Sequence, residues 1–329
     1  MFRLKPRDRI LVTGSTGFIG SSLLKRLHLI PCRLTAIVHD SSPRARYKDV
    51  TYIQADLTRP EDCKRVVQGV DYIFHCAANT SGAAVMQATP LVHVTPNILM
   101  NLHLFEAAYN ADVKKVVWIS SGAIYPPSDE PVKEDFSGPP FSKYFAVAHM
   151  KRYTETLAEL FSYWLPKQLP IVVVRPSNVY GPYDKFDPDK SHVTAALVRK
   201  VVERMDPLEV WGSGEDERDL IYIADFITGL LLAFEKLDAY DPINIGSGCS
   251  YSVNQILQEL LKLEGFSPKI VYNIDKPTTI PRVVLDVAKT ETLLGFKAEI
   301  SLTVGLKLTL NWYKSNLQEV CCGNKQNAV

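Results

Sequence analysis

A glycine-rich stretch near the start of the chain constrains the fold more than any other feature. Gly14-Ser15-Thr16-Gly17-Phe18-Ile19-Gly20 follows the apolar run RILVT and opens a helical pattern. Glycines at this spacing permit a tight turn, close approach of the backbone to a pyrophosphate and close packing of helix on strand. The helix N-terminus also offers unpaired N–H groups to the anion. The context predicts a dinucleotide-binding site formed by residues 14–20; a purely structural glycine turn is the alternative.

Short β-branched runs alternate with helical patterns through the first half of the chain. The runs are RILVTG, RLTAIV, VTYIQ, DYIFHCAA, KKVVWISS and PIVVVRPSNVYG. This rhythm predicts an α/β protein with a Rossmann-like, doubly wound parallel sheet and a smaller, partly helical C-terminal substrate domain. We expect the first domain at 1–175, the second at 176–316, interleaved with the first, and a flexible tail at 317–329.

Helical patterns place the expected helices near 18–28, 60–68, 190–205, 224–236, 252–263 and 302–316. A further long helix is expected to end near residue 110. Pro96 lies inside it and predicts a kink or a restart, because proline lacks the N–H of the helical hydrogen bond.

Composition and charge exclude several classes of partner. The 329 residues include 37 Lys and Arg against 36 Asp and Glu, a formal net charge of +1, without a basic run typical of nucleic-acid binding. No apolar segment reaches the ~18 residues of a membrane helix, and the first residues do not have the pattern of a signal peptide. The six cysteines show no metal-ligand spacing. These features predict a cytoplasmic protein without nucleic-acid, membrane or metal partners.

The end of the second predicted strand leaves the choice of cofactor open. An acidic residue about 20 residues beyond the glycines contacts the adenosine ribose in NAD sites. Asp40 can take that role, whereas Arg44 and Arg46 can equally meet the 2′-phosphate of NADP. Both NAD and NADP therefore remain candidates.

Further motifs resemble one known family. They are TGSTGFIG at 13–20, Asp56-Leu57, HCAA at 75–78, SSGAIYP at 120–126 and RPSNVYG at 175–181. Together they resemble the extended short-chain dehydrogenase/reductases that modify nucleotide sugars, the NAD-dependent epimerase/dehydratase family. Four later segments are similar to the GDP-L-fucose synthases of that family, so that the resemblance spans about 9–316: NVYGPYDKFDPDKSHVTAALVRK, VWGSGEDERDLIYIADF, INIGSGCSYSVNQI and PRVVLDVAKTETLLGFKAEISLTVGL. It implies an NAD(P)-dependent enzyme acting on a nucleotide sugar, with a GDP-sugar favoured.

The resemblance also implies site residues. Ser121 matches the catalytic Ser/Thr, a hydrogen-bond donor to the sugar oxygen at C4. Asp56 and Leu57 approach the adenine. The residues implied around the nicotinamide half are Ala77, Ala78, Asn79 and Pro176, and those implied for the nucleotide diphosphate are Asn178, Trp211, Arg218 and Arg282. Turn, core and surface roles are the alternatives for these side chains.

Positions that carry chemistry in the family are altered here. FAVAH at 145–149 aligns with the family's Tyr-x-x-x-Lys, which puts Phe145 at the acid/base tyrosine and His149 at the lysine that binds the nicotinamide ribose. Tyr144 and Tyr125 are candidates to supply a phenol instead, although one residue along a helix turns a side chain by about 100°. The family's epimerising cysteine is replaced by Ala123, whereas its histidine is present as His192.

Because of these alterations, the sequence supports three different hypotheses about function. One hypothesis is an active nucleotide-sugar epimerase, reductase or dehydratase with unconventional acid/base groups. Another is a cofactor- or nucleotide-sugar-binding protein that has lost catalysis and serves as a regulatory or partner subunit. A third is a reductase for an unrelated small substrate. The family also implies a homodimer through the helices near 95–110 and 141–164, whose apolar faces can alternatively pack on the sheet.

Overall fold

Parallel strands form the centre of the molecule in the computed structural model, which describes residues 4–80, 89–188, 191–276, 278 and 280–317, without the side chain of Tyr144. The strands are β1 (Arg9–Thr13), β2 (Arg33–Val38), β3 (Val50–Gln54), β4 (Tyr72–His75), β5 (Lys115–Ile119), β6 (Ile171–Pro176), β7 (Asn178–Tyr180), β8 (Leu208–Trp211), β9 (Glu217–Tyr222), β10 (Ile243–Ile245), β11 (Ser250–Ser252) and β12 (Ile270–Asn273). The first six match the six runs of the sequence.

The main sheet of the described residues has the strand order β10-β6-β5-β4-β1-β2-β3. Every neighbouring pair in it is parallel. The order reverses between β1 and β4, and open α/β sheets bind ligands in the crevice at such a switch point. The predicted doubly wound parallel sheet is therefore confirmed.

Helices cover the sheet. They are α1 (Phe18–Leu27), α2 (Pro60–Val66), α3 (Leu91–Asn110), α4 (Phe145–Glu159), α5 (Val193–Val202), α6 (Ile223–Lys236), α7 (Val253–Glu264), α8 (Ala288–Leu294) and α9 (Leu302–Ser315). The sequence predicted all of these except α8, a seven-residue helix in the irregular C-terminal part. A π-helical turn, Leu160–Trp164, extends α4.

Pro96 does not restart the long helix. Helix α3 runs without a break from Leu91 to Asn110 with Pro96 inside it. Because proline has no N–H, the carbonyl of Val92 one turn earlier lacks its helical donor. Asn79 Nδ2 donates to Val92 O instead, at 3.0 Å. The proline thus frees an acceptor that ties the loop after β4 to α3.

Two small sheets follow β6 in the chain. Strand β9 pairs with β7 in parallel and with β11 in antiparallel orientation, while β8 pairs with β12. Strand β10 returns to the main sheet beside β6. The division at residues 175 and 176 stays a prediction, and the expected tail lies outside the described residues from 318 onward.

Large apolar side chains fill both faces of the main sheet. One face packs under α1 and α6, and its apolar cluster continues into the core between α5, α7 and α9; the other face packs under α2, α3 and α4. A third, smaller cluster lies around Ile124 and Leu285. In the described part of the chain, no helix combines the length and the apolar character needed to cross a membrane.

Candidate active site

The glycine-rich loop forms a cradle in which a side chain would meet main-chain atoms. Gly14 has a φ of +62°, and a Cβ built on it would lie 2.6 Å from Ala77 N, in the loop after β4. A Cβ on Gly20 would lie 2.1 Å from Gly14 O. The N-cap of α1, Gly17, makes no side-chain cap, which leaves the first N–H groups of the helix for an anion. These residues fit the pyrophosphate of a dinucleotide.

A chain of buried hydrogen bonds fixes the position of Ala77. Asn101 Oδ1 accepts from Trp118 Nε1 at 3.1 Å and lies 2.9 Å from His75 Nε2. The amide oxygen cannot donate, so Nε2 carries the hydrogen and His75 Nδ1 accepts. Its donor is the Thr13 hydroxyl at 2.7 Å, whose oxygen in turn accepts the N–H of Ala77 at 3.1 Å. Strand ends and helix α3 are thereby locked around the cradle.

This arrangement predicts that the free energy of unfolding depends on pH through the protonation of His75. Burial lowers the pKa of His75 from 6.5 to about 3, so the unfolded chain binds a proton between these pH values that the folded chain does not bind. Stability contributed by the neutral ring is therefore complete above pH 6.5 and falls as the pH drops, by up to about 1.4 kcal/mol per pH unit. His75→Gln should show a shallower fall than the wild type in urea unfolding at pH 7, 6 and 5. Equal slopes for the two proteins would contradict the assignment.

Arg44 borders the glycine loop at the end predicted for the adenosine. Its Nε donates to Thr16 O at 3.3 Å, and its guanidinium lies over the ring of Tyr183, 5.5 Å from the centroid. Asp40 points to solvent, with 82% of its side chain exposed, and pairs with His39. Arg44 thus touches the glycine loop directly, whereas Asp40 makes no described contact with it.

The other predicted cofactor residues lie along the edge of the main sheet. Asp56 Oδ1 accepts from the Thr58 N–H and hydroxyl, and Leu57 is buried in the core. Asn79 is held by α3, because its main-chain N–H donates to Asn97 Oδ1 at 2.9 Å and its side chain to Val92 O. Ala78 is exposed beside them.

Ser121 lies where β5 and β6 end side by side. Its hydroxyl oxygen accepts the Ala123 N–H at 3.0 Å and so caps a short 3₁₀ turn, Gly122–Ile124. A Cβ on Gly122 would lie 3.0 Å from Pro176 O, so this turn packs closely on the end of β6. The structure therefore brings Ser121 and Pro176 together at the carboxyl edge of the sheet, and the Ser121 O–H has no described acceptor.

The predicted pair at the Tyr and Lys positions is on an exposed face of α4. Phe145 has 62% of its surface exposed, and its ring centroid lies 4.4 Å from that of the exposed His149. These two side chains contact each other rather than the strand ends. The side chain of Tyr144 lies outside the described part of the chain.

Lys151 is the lysine of α4 that reaches the strand ends, and sequence reasoning missed it. Its Nζ donates to Ile119 O, the last residue of β5, at 2.8 Å, and lies 4.7 Å from the centre of the Trp118 ring. The residue is 8% exposed. The sequence did contain a signal for this residue. Lys151 and Glu155 are four residues apart, so they share one side of α4, the side opposite His149. Charged residues that are buried on such a side need each other or other polar partners.

Tyr125 belongs to a buried network rather than to an open site. Its hydroxyl donates to Asn244 Oδ1 at 2.8 Å and accepts from Arg175 at 2.8 Å. Arg175 also binds both carboxylate oxygens of Glu155, at 3.0 and 2.6 Å. Burial raises the pKa of Tyr125, and the side chain is fully buried. The structure thus holds this phenol away from a substrate.

The four residues implied for the nucleotide diphosphate differ in their environment. Trp211 is 38% exposed beside Lys276, and Asn178 donates to Asp219 O at 3.1 Å. Arg218 is buried and donates to Ile280 O, and Arg282 pairs with Glu217 at 2.9 Å. The two arginines are therefore engaged by their own neighbours, and Trp211 is partly exposed with Lys276 over its ring.

His192 precedes α5 near a lysine that reaches across the cleft. Lys185 Nζ donates to Thr80 O, in the loop after β4, at 2.5 Å. Desolvation by the surrounding chain lowers the pKa of His192, and the charge of Lys185 adds to this effect, although the residue as a whole is exposed. A neutral imidazole at this position can accept a proton at pH 7.

A reversed strand order beside a glycine cradle defines a dinucleotide-binding α/β protein. Residues 10–246 match the family model described as the NAD dependent epimerase/dehydratase family. The chain belongs to this family, and its cofactor is NAD or NADP. The family resemblance predicted from the motifs is thereby confirmed.

Individual relatives differ in the nucleotide sugar that they are named for. The chain is 27% identical to a putative GDP-L-fucose synthase 2 of Arabidopsis thaliana, over 96% of this chain and 94% of the relative. It is 32% identical to a UDP-glucuronate 4-epimerase of Thermodesulfobacterium geofontis, over 94% and 97%. The structure is similar to that of a UDP-glucose 4-epimerase of Thermotoga maritima with UDP-glucose, with a TM-score of 0.86, 29% identity and coverage of 94% and 99%.

Proposed function

We propose that the protein is an NAD(P)-dependent nucleotide-sugar epimerase, reductase or dehydratase with altered acid/base residues, resembling the GDP-L-fucose synthases. The observation that carries this proposal is the combination of an intact cradle with a hydroxyl at the adjoining strand end. Gly14 packs on Ala77 without room for a Cβ, and Ser121 stands at the end of β5 with an O–H free of any described acceptor. A hydroxyl there can donate to a sugar oxygen as negative charge develops on it.

Each part of the proposed machinery has residues suited to it. The pyrophosphate is bound by the first turn of α1, and Arg44 favours NADP because it lies against the glycine loop. NAD(P), when bound, supplies or removes hydride. Ser121 binds and orients the reacting sugar oxygen, and the neutral ring of His192 accepts a proton from a sugar carbon.

The second candidate is a binding protein that has lost catalysis. It is favoured by Phe145, which has no ionisable group and is exposed at the position implied for the tyrosine. A tyrosine-to-phenylalanine variant of a UDP-glucuronic acid 4-epimerase from Bacillus cereus, 27% identical with a TM-score of 0.82, is in complex with NAD and UDP-4-deoxy-4-fluoro-glucuronic acid. In that protein, loss of a phenol is compatible with binding both ligands.

Two measurements separate these candidates. Calorimetric titration with NADPH and NADH tests the cradle, and loss of reduced nicotinamide absorbance on addition of GDP-4-keto-6-deoxymannose tests turnover. UDP-glucose and UDP-glucuronate, each with NAD, test the activities named for the relatives, and the readout there is the appearance of the C4 epimer, because epimerisation leaves no net change in NAD. Tight cofactor binding without turnover of any of the three sugars would contradict the enzyme hypothesis and support the binding-protein hypothesis.

Replacing the hydroxyl of Ser121 should reduce turnover without weakening cofactor binding. We expect Ser121→Ala to lose about 10²–10³-fold in kcat, the usual effect of removing one donor from a developing oxyanion. Thr156→Ala is the control, because it removes an exposed hydroxyl on the same helix as Lys151. The measurement is the rate of NADPH oxidation at saturating substrate, and a Ser121→Ala protein as fast as the control would contradict the role.

A GDP-sugar, a homodimer and a cytoplasmic location remain predictions. The dimer is supported by an exposed stripe on the α4 side of the molecule that contains Tyr153, Leu160 and Trp164, with 50%, 38% and 72% of their surfaces exposed. Exposed apolar stripes of this kind mark protein interfaces, and sedimentation velocity of the full chain checks this one.

A further inference from the structure

We propose that Lys151 is the group that takes and returns the proton of the reacting sugar hydroxyl, standing at the end of β5 in place of both the missing tyrosine and its lysine. The proposal rests on the proposed function, since it assigns the acid/base group of that same reaction. The resemblance places the lysine of the family's Tyr-x-x-x-Lys motif at His149. The geometry of α4 points instead to the residue half a turn further on.

Position is the first argument. Lys151 Nζ donates a hydrogen bond to Ile119 O at 2.8 Å, at the carboxyl end of β5, and Ser121 follows Ile119 by two residues. Its charge also acts on His75 at the end of β4, whose pKa it helps to lower after burial. The ammonium therefore lies near the ends of β4 and β5, next to the switch point between β1 and β4 at which an open parallel sheet binds its ligands.

The contacts of the ammonium leave part of it for a ligand. An ammonium group has three N–H donors. Among the described residues, Ile119 O takes one and the face of the Trp118 ring faces the charge at 4.7 Å. One N–H thus remains to be directed at a sugar or ribose oxygen.

The residue one turn before Lys151 explains why this lysine is needed. In a Tyr-x-x-x-Lys arrangement, the phenol stands four residues before the lysine, on the same face of the helix. That position here is Val147, which has no proton to transfer. No phenol therefore stands one turn before this lysine, and we assign the proton transfer to the lysine itself.

The charged surroundings of Lys151 permit both of its protonation states. Burial lowers the pKa of Lys151 to about 8, while Glu155, one turn along α4, acts in the opposite direction. His75 faces it from β4 as a neutral ring, and Glu155 is itself neutralised by Arg175 of β6. A group with a pKa near the working pH is the most effective acid/base catalyst.

The proposed step conserves atoms and charge. In the oxidative direction, the C–H electron pair of the carbinol carbon leaves as hydride to NAD(P)⁺. The O–H pair forms the carbonyl, and the proton passes to the neutral Nζ of Lys151, which becomes an ammonium. In the reductive direction, the ammonium returns this proton to the oxygen while Ser121 hydrogen-bonds the same atom.

Nuclear magnetic resonance of the wild-type chain labelled with [¹³Cε]lysine tests the proposal without any turnover. The Lys151 signal is assigned by its loss in Lys151→Arg. We expect it to titrate near pH 8 and to shift on stoichiometric addition of NADP⁺ or NAD⁺. A signal that titrates above pH 10 and ignores both cofactors would overturn the proposal. A protein that lacks turnover but shows the expected signal overturns the enzyme and retains the site.

Turnover provides the second test. Lys151→Met should lose at least ~100-fold in kcat. Lys151→Arg should keep cofactor affinity within about threefold but lose turnover, because a guanidinium is always protonated. In the wild type, reductive turnover should fall above pH 8, since it needs the ammonium, and oxidative turnover should rise. His149→Gln tests the rival cation, and loss of turnover there with full activity in Lys151→Met would contradict the proposal.

Discussion

Replacing Gly14 with alanine should abolish useful cofactor binding. The new Cβ would lie 2.6 Å from both Ala77 N and Cys76 O, which are main-chain atoms that cannot rotate away. The φ of +62° adds strain for any residue with a Cβ. Relief requires the glycine loop and the loop after β4 to separate by several tenths of an ångström. Each main-chain N–H that loses its hydrogen bond to the pyrophosphate costs about 1.5–3 kcal/mol, so the loss of two such bonds should lower the affinity for NADPH or NADH at least ~100-fold, measured by calorimetry.

Gly265→Ala is the matched control for this substitution. Gly265 has a similar φ, +54°, at the end of α7, but a Cβ there would meet nothing within 4 Å. It should cost roughly 1 kcal/mol of stability from backbone strain and leave cofactor affinity unchanged. If Gly14→Ala also binds the cofactor with wild-type affinity, the cradle is not the pyrophosphate site.

Removing the guanidinium of Arg175 should cause the largest loss of stability. Arg175 and Glu155 pair at 2.6 Å with side-chain exposures of only 8% and 6%. Arg175→Met leaves the carboxylate buried without its partner, which costs about 3–5 kcal/mol, because the remaining charge is desolvated and unpaired. Urea unfolding at pH 7 measures this loss. The double variant Arg175→Met with Glu155→Gln should recover part of it, since the uncompensated charge is gone.

Lys167→Met provides the comparison for Arg175→Met. Lys167 pairs with Asp112 at 2.7 Å, but the two side chains are 45% and 79% exposed. Water screens such a pair, so its loss should cost less than about 1 kcal/mol. A loss from Arg175→Met no larger than that from Lys167→Met would show that the buried network around Tyr125 does not hold β5, β6 and α4 together.

The sequence predicted the first six strands well because two local signals agree there. Runs such as RILVT and VTYIQ are β-branched, apolar and bounded by turn residues, which is typical of strands of a parallel sheet with both faces covered. The glycine spacing at 14–20 also predicted that the first β-to-α turn is a dinucleotide-binding turn. The short helix α8 carries no comparable pattern, and its place depends on packing against α6 and β10.

Pro96 shows how tertiary structure overrides a local rule. A proline inside a helix predicts a break, because one carbonyl loses its donor. In the fold, Asn79 from a loop 13 residues away along the chain supplies that donor to Val92. Sequence alone contains both residues but gives no reason to bring them together.

At the site around α4, the sequence determined some features and the tertiary structure determined others. The sequence by itself determined the parallel sheet and the glycine cradle, because these follow from periodicity and from glycines that no other residue replaces. The family followed from the resemblance of its motifs. That resemblance also identified Ser121 at the end of β5. Only the tertiary structure decided which side of α4 faces the strand ends. A helix turns by about 100° per residue, so the packing of α4 on the sheet buries Lys151 beside Ile119 and leaves Phe145 and His149 in solvent.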